Sequence, residues 1–157
     1  MPTPLFRRIL VPHDFSDEAD QALRLAGQLA AGGGGKIAVL HVIEPYYGPA
    51  DLTYAAMVPP PESLVPEQRR DLEQRVRKVL GAKAPRFTVE VTVGHPANEI
   101  VRASEKADTV VMATMGRTGL GHLLIGSVAE KVVRHAPVPV LTVRARPRGR
   151  ATKRARG

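Results

Sequence analysis

Between residues 109 and 128 the chain gathers the groups that a phosphate needs. An apolar run, Thr109-Val-Val-Met-Ala-Thr114, leads into Met115-Gly-Arg-Thr-Gly-Leu-Gly-His-Leu-Leu-Ile125, and Gly126-Ser127 opens a helical pattern. Strand-to-helix connections in α/β units usually take about 2–6 residues, so one near twice that length serves more than connection. Glycines at 116, 119, 121 and 126 let backbone N–H groups turn toward a ligand without interference from Cβ atoms. Ser127 adds a hydroxyl where the first helical amides lack partners, and Arg117 adds a fixed positive charge on the same loop. Such a site suits phosphate. The plainer alternative is a mobile loop in which Ser127 serves only as a helix N-cap.

Other motifs lead elsewhere or nowhere. The tetraglycine before Lys36 is followed by Ile37 and precedes a strand, so it is not a Walker A loop. Gly119-Leu-Gly121 has Leu124 where a dinucleotide fingerprint needs its third glycine. Ser127 does not sit in Gly-x-Ser-x-Gly, and the histidines at 13, 41, 95, 122 and 135 lack metal-ligand spacing in a chain without cysteine. No catalytic and no metal-ligating residue is assigned, although His13 stands beside Asp14. Asp14 has two compatible readings: a helix-entry cap for the segment starting at Ser16, or a carboxylate that accepts hydrogen bonds from ligand hydroxyls.

The elements that must position these groups alternate. Ile9-Leu-Val-Pro12 reads as a strand, and Ala19, Ala22, Leu23, Ala26, Leu29 and Ala30 then recur at helical spacing, capped by Ser16 or Asp17 and ended by Gly32 to Gly35. Ile37 to Ile43 is apolar and β-branched enough to predict a strand buried on both faces. Glu44 to Pro66 carries prolines at 45, 49, 59, 60, 61 and 66 and predicts a mobile excursion, with at most a turn of helix at Leu52 to Met57. A helix over Glu67 to Leu80 buries Leu72, Val76, Val79 and Leu80, with Gly81 as its stop. Phe87 to Val93 alternates like an edge strand, and Gly94 to Asn98 turns into a helix with Ile100, Val101 and Ala103. The strand at 109–114, a helix from Val128 to His135 and a strand from Val138 to Val143 complete the pattern. Five strands interleaved with four helices predict a doubly wound parallel sheet, with a ligand crevice beyond the carboxyl ends where winding reverses. The ends of the first and fourth strands then share that crevice.

Composition bounds the rest. One domain and one core suit 157 residues, and the lack of cysteine, of a membrane-length apolar run and of a signal-peptide pattern leads to the expectation of a cytoplasmic protein without membrane association. Net charge is +8, but seven Arg or Lys fall between Arg144 and Gly157, which leaves about +1 for the remainder. The basicity belongs to a tail, expected to be disordered, that either solubilises or touches nucleic-acid phosphates; it carries no aromatics to stack on bases.

Several segments together resemble a known family. They are Ile9-Leu-Val-Pro-x-Asp-Phe-Ser16, Leu40-His-Val-Ile43, Gly94-x-Pro-x-x-Glu-Ile100 and the continuous run Gly126-Ser-Val-Ala-Glu-Lys-Val-Val-Arg-His-Ala-Pro-Val-Pro-Val-Leu-Thr-Val143. The chain resembles the universal stress protein family, whose members carry Gly-x2-Gly-x9-Gly-Ser/Thr after the fourth strand; Gly116-x9-Gly126-Ser127 matches the second half of that motif. The resemblance implies a five-stranded, three-layer α/β/α, adenine nucleotide alpha hydrolase-like (Rossmann-like) domain over residues 1–144, followed by the tail at 145–157. In ATP-binding members the counterpart of Pro12 lines the nucleotide, that of Asp14 holds the ribose side, and that of Val42 meets adenine through its backbone. The implied set is completed by Met112, Ala113, Gly116, Arg117, Thr118, Gly119, Gly126, Ser127 and Val128, with phosphates on the 113–119 loop and the 126–128 turn, and any Mg2+ held by the phosphates. Ala113 replaces the motif's first glycine and would cost roughly 1–2 kcal/mol if its φ had to be positive. The resemblance thus implies an ATP-binding stress or signalling module; the alternatives are a relative that keeps the fold without nucleotide and works through protein contacts, or a slow ATPase or autophosphorylating protein. The last strand, apolar and at an edge, leads to the expectation of a two-fold homodimer through Val138 to Val143.

Overall fold

The computed structural model describes residues 6–45, 58–114 and 125–144. The turn of helix expected at Leu52 to Met57, the glycine-rich loop with Gly116, Arg117, Thr118 and Gly119, and the basic tail lie outside the described residues.

Five strands and four helices alternate among the described residues: β1 (Arg8–Pro12), α1 (Asp17–Gly33), β2 (Lys36–Ile43), α2 (Pro61–Leu80), β3 (Arg86–Val93), α3 (Pro96–Ser104), β4 (Thr109–Ala113), α4 (Ser127–His135) and β5 (Val140–Val143). All pairings are parallel, in the order β3-β2-β1-β4-β5, so the winding reverses between β1 and β4. This is the predicted doubly wound sheet.

Alternation along the strands sorts the core into two layers. Ile9, Val11, Ile37, Val39, Val89 and Val111 pack with Leu23, Ala26, Leu72 and Val76 from α1 and α2. On the opposite face Leu10, Leu40, Val110 and Met112 pack with Ile100, Ala129 and Val132 from α3 and α4. Small residues at 19, 22, 26 and 30 let α1 lie close to the sheet. Ser16 is its N-cap and accepts the Ala19 amide at 3.1 Å, while Gly34, at φ 65°, supplies the left-handed stop.

Four details differ from the sequence reading. α2 begins at Pro61 rather than Glu67, because Pro61 occupies the first helical position, where a missing N–H costs no bond; Pro66 is carried inside the helix on its exposed side. Ser127 does not cap α4: Gly126 is the N-cap, no side chain bonds there, and Ser127 is the first helical residue. β5 starts at Val140, since Val138 and Pro139 precede its ladder with β4. β2 is buried on both faces only in part: Val39 is covered on one face and Leu40 on the other, while its first half is open on the Leu40 side. Ala38 is exposed, because nine-residue α3 stops short of the β2–β3 side and leaves Thr88 and Glu90 open as well.

No described helix is long and apolar enough to cross a membrane.

The α1–β2 connection is tight at one glycine. A Cβ on Gly35 would lie 2.1 Å from the Phe6 carbonyl oxygen, whereas one on Gly32 meets nothing within 4 Å. Gly35→Ala is expected to lower stability by about 1–3 kcal/mol, and Gly32→Ala to raise it by about 0.5–1 kcal/mol, in urea unfolding.

Candidate functional site

Beyond the carboxyl ends of β1 and β4 lies a cavity of about 360 Å³. Pro12, Asp14, Val42, Met112, Ala113, Gly126, Ser127 and Val128, expected from three distant stretches of sequence, all line it. The reversal of winding makes the opening: β1 sends its chain to α1 on one face of the sheet and β4 sends its chain to α4 on the other, so the strand ends part there. Sequence reasoning missed Leu40, Pro96, Ile100 and Ala129, which present apolar surface, and Glu44, a second carboxylate lining the cavity. The alternation of β2 places Leu40 and Val42 on the α3–α4 face and was the one available signal for Leu40.

Ala113 ends β4 opposite Val143 and is not among the residues with positive φ. Its methyl group therefore carries none of the backbone strain that a left-handed position would impose. At the other wall, Gly126 N–H donates to the Thr114 carbonyl at 2.7 Å, which draws the start of α4 against the end of β4. Gly126, Ser127 and Val128 line the cavity, and the N-cap Gly126 brings no side-chain acceptor to the first-turn amides of α4.

The β1–α1 turn forms the third wall and is heavily bonded. The Asp14 carboxylate accepts the Ser16 amide at 3.0 Å and the Ser16 hydroxyl, so it braces the residue that caps α1. Phe15 holds φ 64°, the one positive φ of a non-glycine residue among those described. Its amide donates to His13 Nδ1 at 3.1 Å. The His13 backbone N–H donates to the Leu40 carbonyl at 2.8 Å, and His41 Nδ1–H donates back to the His13 carbonyl at 2.7 Å. The Phe15 ring meets both imidazoles edge to face, at centroid distances of 6.1 and 4.8 Å.

His13 itself pairs with Asp20, not with its neighbour Asp14. Because Nδ1 accepts from Phe15, the ring hydrogen sits on Nε2 and is donated to Asp20 Oδ1 at 3.1 Å. Arg75 of α2 completes the chain by donating Nε to Oδ1 at 2.8 Å and Nη2 to Oδ2 at 3.0 Å of the same carboxylate. Burial lowers the affinity of His13 for a second proton, Arg75 adds to that, and Asp20 and Asp14 oppose it; the net direction is downward. Burial works to raise Asp20, but the hydrogen bonds and charge of Arg75, with help from His13, outweigh it and hold the carboxyl below its ordinary range. With both ring nitrogens engaged inside the fold, His13 has no lone pair for general-base chemistry. No group of three or more His, Asp or Glu among the described residues is placed to hold a metal ion.

Comparison with known proteins gives a consistent result. The universal stress protein family profile matches residues 5–144. Universal stress protein MJ0531 of Methanocaldococcus jannaschii is 34% identical over 145 residues, covering 89% of this chain and 83% of that protein. Among solved structures, universal stress protein UspA from Lactobacillus plantarum superposes with a TM-score of 0.72 at 26% identity, over 88% of this chain and 98% of that one. A universal stress protein solved in complex with cAMP gives a TM-score of 0.62 at 25% identity, over 87% and 96%.

The His13 network has a consequence for stability. In the fold His13 binds its proton more weakly than in the unfolded chain, so its contribution is complete above the ordinary value of 6.5 and is lost as pH falls below it. The Asp20 contribution is lost only at much lower pH, below its ordinary 3.8. Urea unfolding is therefore expected to show lower stability at about pH 5.5 than at about pH 7.5, and His13→Gln to flatten that slope.

Proposed function

The chain belongs to the universal stress protein family, and from that premise we propose that it is an ATP-binding stress-response or signalling module of the cytoplasm. The observation that carries this reading is the convergence of eight expected positions on one cavity at the switch point of the sheet. A universal stress protein of the same fold was solved with the adenine nucleotide cAMP, which supports the ligand class.

In this reading Pro12, Val42 and Met112 give adenine an apolar slot, with the Val42 backbone meeting its polar edge. Asp14, already oriented by Ser16, accepts from the ribose hydroxyls. The amides of Gly126, Ser127 and Val128 receive phosphate oxygens at the positive end of α4, together with Gly116, Arg117, Thr118 and Gly119 of the glycine-rich loop. Any Mg2+ rides on the phosphates. The domain responsible spans residues 1–144, and binding rather than turnover is its task.

The edge strand supplies a second contact. Leu141 is 39% exposed on β5, whose outer side pairs with no described strand. A second copy of the chain covers this edge in a two-fold dimer.

Calorimetry on protein stripped of carried-over nucleotide is expected to give micromolar ATP binding, with Asp14→Asn weakening it about tenfold and Ala113→Gly changing it by less than about threefold. No heat and no thermal shift at millimolar ATP would overturn the proposal. For the assembly, sedimentation is expected to show a dimer that Leu141→Glu converts to monomer.

A further inference from the structure

The crevice wall at residues 13–16 is held from a distance. Asp14 lines the crevice and Phe15 stands next to it in a left-handed conformation. The bond that fixes this conformation from the side-chain side is Phe15 N–H to His13 Nδ1, and it exists only while Nδ1 keeps its lone pair. Which nitrogen keeps the lone pair is decided across the ring, where Nε2–H is committed to Asp20. Asp20 is in turn clamped by the two-pronged contact from Arg75. Arg75 lies 55 residues further along the chain, on α2, and lines a second groove, between α1 and α2, whose walls also include Phe15, His41, Asp20, Arg24 and Lys78. An unbroken run of hydrogen bonds thus joins that outer groove to the turn that presents Asp14.

We infer that Arg75 is a positioning residue for the crevice: through Asp20 and His13 it holds the 13–16 turn, and with it the Asp14 carboxylate, in the ligand-receiving shape, and protonation of His13 undoes that hold. The inference rests on the nucleotide reading of the crevice for its ligand, but not for its structural part. A second proton on His13 must go to Nδ1, where it points at the Phe15 N–H; two donors then face each other and the bond is lost. Every charge near the ring bears on this step. Asp20 on α1 and Asp14 on the turn favour the proton, Arg75 on α2 and burial disfavour it, and His41 on β2 touches the residue through its carbonyl rather than its ring. Removing Arg75 subtracts one of the two opposing influences, so His13 takes its proton at higher pH.

The test uses the full chain and adenosine as probe, since adenosine carries no group that titrates between about pH 5 and 8 and ATP does. Adenosine affinity of the wild type is expected to hold at alkaline pH and to fall as His13 protonates. Arg75→Ala is expected to weaken binding about fivefold at about pH 8 and to move the fall to higher pH. Arg75→Lys, which keeps the charge but not the fork, is expected to restore the pH midpoint and only part of the affinity. In parallel, NMR of the His13 ring nitrogens and the Phe15 amide reads the same transition without ligand: Nε2–H at neutral pH, a coincident shift of both signals on acidification, and a higher midpoint in Arg75→Ala. If the wild type binds adenosine while Arg75→Ala changes neither affinity nor pH profile, the positioning role is overturned and the nucleotide reading stands. If adenosine does not bind but the His13 and Phe15 signals move together with an Arg75-dependent midpoint, the hold on the turn stands and the ATP calorimetry alone decides the nucleotide reading; independent signals overturn the hold.

Discussion

A parallel strand at the centre of a sheet must be covered on both sides, and β1 is that strand. Ile9 and Val11 are fully buried under α1 and α2, while Leu10 is buried under α3 and α4. Covering both faces from one short strand forces the chain to wind outward in two directions, toward β2 and β3 on one side and toward β4 and β5 on the other. The gap left where those directions part is the crevice. Packing of apolar side chains thus decides where the polar site can be, before any of its polar residues are chosen.

Most of this is legible in the sequence because it rests on local signals. The small residues of α1, the β-branched runs and the glycines after helices mark their elements by spacing alone, and the order of elements then determines the class of fold. The candidate site is legible in a different way: Pro12, Asp14, Val42 and Ser127 are ordinary residues in isolation, and only resemblance to a family and the switch-point rule lead to the expectation of the one crevice that they line. What escapes has physical reasons. The prolines at 60, 61 and 66 read as breakers, although Pro61 begins α2 and Pro66 is tolerated on its exposed side. The nine residues of α3 read as a helix, but their spacing does not tell how much of the sheet they roof, so an apolar Ala38 reads as buried when it is open.

The His13–Asp20–Arg75 chain is the least legible feature. Asp20 and Arg75 look like surface charges on two amphipathic helices, and nothing in their spacing of 55 residues announces a contact. His13 stands beside Asp14 in the chain, yet the left-handed turn at Phe15 directs Asp14 to Ser16 and leaves His13 to Asp20. Tertiary geometry makes this network, and it ties one wall of the crevice by hydrogen bonds to a helix that does not line it.

The partnership of β1 with β4 also bears on how the chain emerges from the ribosome. Arg8 is bonded to Asp108, 100 positions later, and the flank of β1 beside it cannot be matched until that stretch has been made. At roughly 5–20 residues per second β1 waits on the order of 5–20 s, from its own synthesis to that of β4, with one central edge open. During synthesis the vulnerable surface of this protein is thus its future middle, and a chaperone that shields nascent chains has its window there.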